Sequence, residues 1–528
     1  MPNVPTVVLE RFNELFSGVH ILTLVEDIQN TFTKEGNKEL KISNNFRVIA
    51  TCKPEKVNNL SEALLSRFTI IYISPYDENE EKRVLKSESN QDSMIISKLI
   101  EQYKLYFTEQ SIVFNLSQMI ACKKIVSKMD NLINEHEKNI KLCLYTLIKG
   151  FHEKRTNEMN EIKQKFEVSF IPSIEGESPF EYIEKNNEIR LRSKLTQLSM
   201  HVSKKSKIRN NEPGIAFTNQ FIEIIDTILF GLSTSTPVIL EGNYGQGKKT
   251  AINYIANLLG LEVINIVISN STKVEDLLCK TIIDKDENKD IIITISKTKL
   301  YEAIECKNIY PKTLVVLDGI NNASPAVLET LSSIFGDKGT SILLPNGSVL
   351  EKGNLNLIGI FNKGKDTTRE KLPPSIIYNS IYLIVDDPTP ENIKKIIKVL
   401  FIQNNLENEI ENFQKDFIKA KSISNEVSGE LPLTLKEIKK YLNFRTSIPQ
   451  LNKSIFLLFI FAYHFSEKPN REKVINELKL DKLAFNPEIK YDGSNKFFIF
   501  KTSKGIYMMK LKLMYLIIEK FENLVLKI

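Results

Sequence analysis

The sequence predicts an α/β fold in which a parallel sheet lies between helical layers, joined to domains that are wholly helical. Three observations predict it: strand-like and helix-like runs alternate after Phe221, a glycine-rich turn separates one such strand from the next helix, and strand signals are absent from Thr389 to about Asn443. FIEIIDTILFGLS has helical apolar spacing, and TPVILEG after it is a short β-type run opening onto the turn. The alternation continues as helix TAINYIANLLG, strand EVINIVI, helix near VEDLLCKTI, strand IIITIS, helix KLYEAIE and strand TLVVLD. Such alternation implies a parallel sheet covered on both faces. Helix AVLETLSSIF then leads to ILLPNGSVLEKG, a hairpin with its turn at Asn346-Gly347, and to strands NLNLIGIF and SIYLIV. Residues 389 to about 443 are helical throughout, and near the end FFIFKTSKGIYMMKL predicts a hairpin and LMYLIIEKFENLVLKI a helix.

The beginning of the chain repeats the second half of that pattern. VVLERFNELFSG parallels AVLETLSSIFGD, NNFRVIATCKP parallels NLNLIGIFNKG, and EALLSRFTIIYISP parallels PSIIYNSIYLIVDDP. Helices follow both times, at QSIVFNLSQMIACKKIV and LTLKEIKKYL. A period of about 300 residues marks a repeated module and not a solenoid. Five segments result: 1–76, the C-terminal part of a first α/β domain; 77–211, a helical lid and linker; 212–390, a second α/β domain; 391–470, a second helical lid; and 471–528, without an assigned fold. The first copy begins after the point where its own glycine-rich turn is expected. The linker carries a basic run, KKSKIR at Lys204, that reads as a solvated surface before it reads as a localisation signal or phosphate patch.

With 528 residues, 42% of them apolar and 26% charged, the chain has the composition of several globular domains. A net charge of +6 is small over this length and identifies no partner by itself, and without dense aromatic and basic interleaving no direct nucleic-acid binding is evident. Five cysteines without a CxxC pair, and five histidines, assemble no zinc spacing and fit a reduced, intracellular compartment. No apolar run reaches the roughly 18 residues of a membrane span, so a soluble protein without membrane insertion is expected.

The chemistry concentrates in Gly242-Asn-Tyr-Gly245-Gln-Gly247-Lys248. Between a strand and a helix, such a loop lets backbone N–H groups close around phosphate oxygens, and Lys248 reaches the β- and γ-phosphates. The next position ordinarily supplies a Ser or Thr hydroxyl to Mg²⁺. Here it is Lys249, whose ammonium cannot coordinate a cation and would repel it. Thr250 is one residue on, rotated about 100° around the helix. Asp318 ends the apolar strand LVVLD as the metal-side carboxylate, while the acid that would orient an attacking water is replaced by Gly319.

Taken in order, VILEGNYGQGKKTAINYIANLLG, NIVISNSTKVEDLLCK, TLVVLDGINNASPAVLETL, NLNLIGIFN and KLPPSIIYNSIYLIV resemble the successive signatures of midasin-type (dynein-related) AAA+ modules. The resemblance covers roughly residues 1–75 and 215–390. It implies an AAA+ P-loop three-layer sandwich with a five-stranded parallel sheet and α-helical lid domains. It also implies ATP as ligand at Gly242, Gly245, Gly247, Lys248, Lys249 and Thr250, Mg²⁺ at Asp318, and Asn362 as the polar sensor at the end of the fourth strand. Arg67 matches the arginine finger given to a neighbouring module; its counterpart in the second copy is Asn379. Lys53 and Ser117 depart from the family's sensor positions in the first copy, and Lys436 stands where the family often has a sensor arginine. By ring geometry Arg67 would serve a module before this chain, and the finger for Lys248 would come from one after it.

What the resemblance implies for function is a piece of a ring motor acting on pre-60S ribosomal particles in the nucleus or nucleolus, with further AAA+ modules as ring partners. Its own site would bind nucleotide and hydrolyse it near background. The alternatives are a non-catalytic AAA+ scaffold and another hairpin-bearing AAA+ class, a MoxR-type chaperone or dynein-related motor.

Overall fold

The computed structural model describes residues 214–285, 291–308, 311–345, 347–362, 372–427, 432–447 and 453–480 nearly continuously. It also describes 21–23, 39–41, 43, 45–52, 57, 60–74, 76–86, 101, 104, 116–130, 140–143, 178–185, 188–203, 488–492, 497–502 and 505–510. Outside these lie VVLERFNELFSG, Lys53, the KKSKIR run, most of the polar stretch 131–177 and LMYLIIEKFENLVLKI. The chain divides into two units, Met1–Val84 and Leu85–Ile528.

The second unit is built on helix α1 (Asn219–Ser233), strand β1 (Val238–Gly242), helix α2 (Lys248–Leu259), strands β2 (Glu262–Val267) and β3 (Thr313–Asp318), helix α3 (Pro325–Phe335), and strands β4 (Asn356–Asn362) and β5 (Ile381–Val385). The five strands form one parallel sheet in the order β5-β1-β4-β3-β2. Residue alternation along each strand decides the layers. Val238, Leu240, Leu314, Val316, Ile358 and Ile360 face a core shared with α1 and α2. Ile239, Val315, Leu317 and Leu357 face the opposite core with α3 and the helix Lys299–Ile304. The fold is therefore an α/β P-loop sandwich of three layers, and it brings Gly242, Asp318 and Asn362 to the C-terminal ends of adjacent strands. In open α/β sheets ligands bind at these ends, where the strand order reverses.

Helices α4 (Pro390–Gln403), α5 (Ile410–Glu426) and α6 (Leu435–Ser447) follow. Their core is aromatic: Phe401, Phe413, Phe417, Tyr441 and Phe461 are buried together, with Phe401 and Tyr441 stacked at 5.8 Å. Buried Glu409 fixes one edge, accepting from the Tyr441 hydroxyl at 2.6 Å and from Arg445 at 2.7 Å.

Several local expectations are corrected. The helix near VEDLLCKTI is only Val274–Leu277, because Cys279–Lys285 is a strand paired antiparallel with Ile291–Lys297. Both runs are rich in Ile and Thr, which favour strands, so IIITIS belongs to a hairpin off the main sheet. Within the linker expected to be helical, Phe180–Lys185, Glu188–Ser193 and Ser199–His201 form an antiparallel sheet. There the alternation in EIRLRS buries Leu191 against the core of α1 and α2. The hairpin near Gly347 pairs Ser341–Leu343 with Val349–Glu351, and that near the end pairs Phe497–Thr502 with Gly505–Lys510 and gains a third strand, Glu488–Asp492.

In the first unit, Ile21–Thr23 pairs antiparallel with Glu39–Lys41, and Ser61 caps the short helix Glu62–Leu65. Residues 46–52 and 69–74, which parallel β4 and β5 in sequence, lie in no strand. Ile49 and Ile73 are 94% and 87% exposed. In the second unit β4 and β5 both pair with β1; among the described residues the first unit contains no equivalent of that strand.

Candidate nucleotide-binding site

A cavity of about 450 Å³ opens above the C-terminal ends of β1, β3 and β4. Its floor includes the loop residues Tyr244 to Lys248. No side chain caps the start of α2, so the first N–H groups of that helix are left for a ligand. Gly245 is left-handed at φ +80°, and a Cβ there would come within 2.6 Å of the Thr434 side chain, so a glycine lets the entrance of α6 close over the loop. Gly247, at φ +93°, is the N-cap of α2.

Lys248 is 5% exposed and donates to the carbonyl oxygens of Gly242 and Asn243, each at 2.7 Å. Burial pushes its ammonium down to about 8, while Asp318, Glu241 and Asp387 pull it back up and Lys436 adds a smaller depression. It thus stands charged at neutral pH, bonded to carbonyls that a phosphate would replace.

Lys249 places Nζ 2.5 Å from Asp318 Oδ2, with the lysine side chain 58% exposed and the aspartate side chain 14%. Asp318 Oδ1 is buried without a hydrogen-bond partner. In the AAA+ modules that the sequence resembles, an Mg²⁺ ion is expected between the hydroxyl after the P-loop lysine and this carboxylate. Both parts are unsuited here, since the hydroxyl is absent and the carboxylate already holds an ammonium. The residues do not fit Mg²⁺. Thr250 lines the cavity but is a full residue further along α2.

Asn362 ends β4 directly opposite Gly242 in register and lines the cavity. Its backbone is gripped by buried Asn321, which donates to Asn362 O at 3.1 Å and accepts from Asn362 N at 3.4 Å. From the lid, Lys436 and Lys439 reach the same cavity, Lys436 lying 5.9 Å from the centre of the Tyr244 ring. At the other end Ile215, Ile396 and Leu400 give an apolar wall between the approach to α1 and helix α4.

Sequence reasoning missed several of these groups. Asp387, just beyond β5, accepts from Gln246 Nε2 at 2.7 Å and faces Lys248. The acidic DDP turn after a strand was a usable signal, but only the strand order places it beside the loop. Glu241, buried in β1, accepts from the Tyr382 hydroxyl on β5; burial raises its carboxyl while that bond and Lys248 work against the rise. Arg67 lies in the other unit, just after the helix Glu62–Leu65, exposed and donating to Ala63 O. Asn379 is the exposed C-cap of the helix Pro374–Tyr378. Ser117 lies in the helix Leu116–Asp130.

Residues 237–377 match the AAA domain of the dynein-related subfamily. A midasin from Dictyostelium discoideum is 23% identical over 376 residues, 64% of this chain and 6% of that protein. A midasin from Giardia intestinalis is 26% identical over 168 residues, 31% of this chain and 3% of its own length. The chain thus corresponds to a small part of either relative. A solved structure of a candidate ATPase from Cytophaga hutchinsonii, 15% identical, covers 48% of this chain and 84% of its own at a TM-score of 0.25. No helix among the described residues is long and apolar enough to cross a membrane.

Proposed function

We propose that this chain, which carries an AAA domain of the dynein-related subfamily at residues 237–377 and resembles midasins, is a midasin-type AAA+ protein that holds ATP in the cavity above β1 and hydrolyses it near background. The observation that carries this is the pairing of Lys249 with Asp318 at 2.5 Å inside an otherwise complete phosphate loop. The loop glycines, Lys248 and the start of α2 supply binding, while the apolar wall of Ile215, Ile396 and Leu400 suits the face of a purine. Hydrolysis needs more. The metal hydroxyl and the water-orienting acid are replaced by Lys249 and Gly319; each such loss removes on the order of several kcal/mol of barrier lowering.

In this reading the module is a nucleotide-holding member of a midasin-like ring with further AAA+ modules. The ring would remodel precursors of the large ribosomal subunit, in the nucleus, and Arg67 would serve another module's γ-phosphate. Family resemblance supports this part of the reading. Titration of the full chain with a fluorescent ATP analogue is expected to saturate, and Lys248→Ala to abolish saturation, while phosphate release stays at the buffer rate. Ordinary AAA+ turnover that disappears in Lys248→Ala would refute the hydrolysis-poor reading; an absence of saturable binding would leave a structural scaffold. Co-sedimentation with large-subunit precursors tests the ring assignment, and its absence from those fractions argues against it.

A further inference from the structure

We propose that Lys249 is a built-in counterion occupying the place of the divalent cation, so that the cavity takes metal-free nucleoside triphosphate and gains nothing from Mg²⁺. This rests on the cavity being a nucleotide site. Three observations carry it. Lys249 Nζ sits on Asp318 Oδ2 at 2.5 Å, so the carboxylate that would orient a metal is already neutralised. The Lys249 side chain is still 58% exposed, and an ammonium has three N–H donors, so one can stay on Asp318 while another meets a phosphate oxygen. The cavity is lined by four lysines, Lys248, Lys249, Lys436 and Lys439, and by the carboxylate of Asp318, and the lysines stay in excess when Glu241 and Asp387 beside Lys248 are counted. That excess of positive charge complements the nearly fourfold negative charge of free ATP better than the halved charge of its magnesium complex.

Geometry opposes a metal as strongly as charge does. Mg²⁺ requires oxygen ligands at about 2.0–2.1 Å in an octahedron, whereas an ammonium spans about 2.7–2.9 Å to each oxygen and imposes no fixed coordination number. To admit the ion, Lys249 would have to leave Asp318, placing two like charges at the start of α2. A divalent cation therefore competes with this lysine instead of cooperating with it.

The test is equilibrium titration of the full chain with ATP in excess EDTA and again in excess Mg²⁺, for the native chain and for Lys249→Thr, which restores the hydroxyl. The native chain should bind ATP in EDTA at least as tightly as in Mg²⁺, and Lys249→Thr should reverse the order, with Mg²⁺ tightening binding tenfold or more. Because this side chain is largely exposed, the substitution should leave the unfolding midpoint in place. Mn²⁺ provides a second readout: its electron-spin signal should stay free with native chain and ATP, and become bound with Lys249→Thr and ATP. Native binding that weakens tenfold in EDTA, or Mn²⁺ held by the native site, overturns the proposal while leaving nucleotide binding intact. No saturable binding under either condition overturns the nucleotide reading itself, and this inference with it.

Discussion

Raising the pH from 7 to 9 should weaken ATP binding about tenfold. The magnitude follows from Lys248, whose ammonium is pushed down to about 8 by burial. Its charged fraction falls from roughly nine-tenths at pH 7 to roughly one-tenth at pH 9, and if only the charged form binds triphosphate the loss is about 1.4 kcal/mol. Stability should move the other way. A lysine whose proton is held less tightly in the fold than in the unfolded chain costs stability at and below pH 8. That cost is relieved as the pH rises from 8 toward 10.5. The nucleotide-free chain should thus resist unfolding better as it binds ATP less well. The assay is a series of ATP titrations at pH 7, 8 and 9 with matched urea unfolding, and Lys248→Ala should show no saturable binding at any of these pH values and no such slope in its unfolding. Equal affinity at pH 7 and 9 for the native chain would refute the argument that this buried ammonium is the group that meets phosphate.

Other perturbations have signs that follow from single contacts. Asp226, buried on α1 and donated to by Ser193 at 2.5 Å, has its carboxyl pushed up to about 6 by burial. Its cost, about 3 kcal/mol above pH 6, fades as the pH falls toward 4, so Asp226→Asn should stabilise at pH 7 by up to that amount and be near neutral at pH 4; equal effects at both would count against it. Gly245→Ala forces a Cβ to within 2.6 Å of Thr434 at a left-handed φ of +80°. It should lower stability by about 1–2 kcal/mol and speed amide exchange at the start of α6, and unchanged exchange there would contradict the close approach. Gly319→Glu meets the same φ of +80°, so it should destabilise by about 1–2 kcal/mol while phosphate release stays at background; a rise in turnover from this single change would show that Lys249 is no obstacle.

The parallel sheet was legible because each of its strands announces itself: Val238–Gly242 and Thr313–Asp318 are short, buried and apolar, and each ends where chemistry begins. The hairpin Cys279–Lys285 with Ile291–Lys297 was harder, since four-residue Val274–Leu277 and the strand after it read together as one amphipathic run. The sheet at 180–201 was hidden by charge. In EIRLRS the polar positions dominate the composition, and only the tertiary contact of Leu191 with α1 and α2 shows which face is core.

Inside the site the same division holds. Residues whose role depends on the loop's own backbone, Gly245 and Lys248, are marked by local spacing. Residues that act across strands are not: Asp387 is more than a hundred positions from Lys248 and reaches it only because β5 lies beside β1. Lys249 falls between the two. Its identity reveals that a hydroxyl is missing, and simple electrostatics says a cation would be repelled. Where the ammonium goes is set by β3 lying two strands from β1, with β4 between them, which brings Asp318 within reach of the first turn of α2. A substitution that reads in sequence as the loss of a metal ligand is in three dimensions the gain of an ion pair at the metal's own carboxylate. An ion pair of that kind has a consequence that plain loss lacks: removing Lys249 alone, for example as Lys249→Met, leaves Asp318 facing the phosphates without a counterion. If the ammonium is a replacement, Lys249→Met should bind metal-free ATP more weakly than the native chain, and equal or tighter binding would mean that it is only an obstruction.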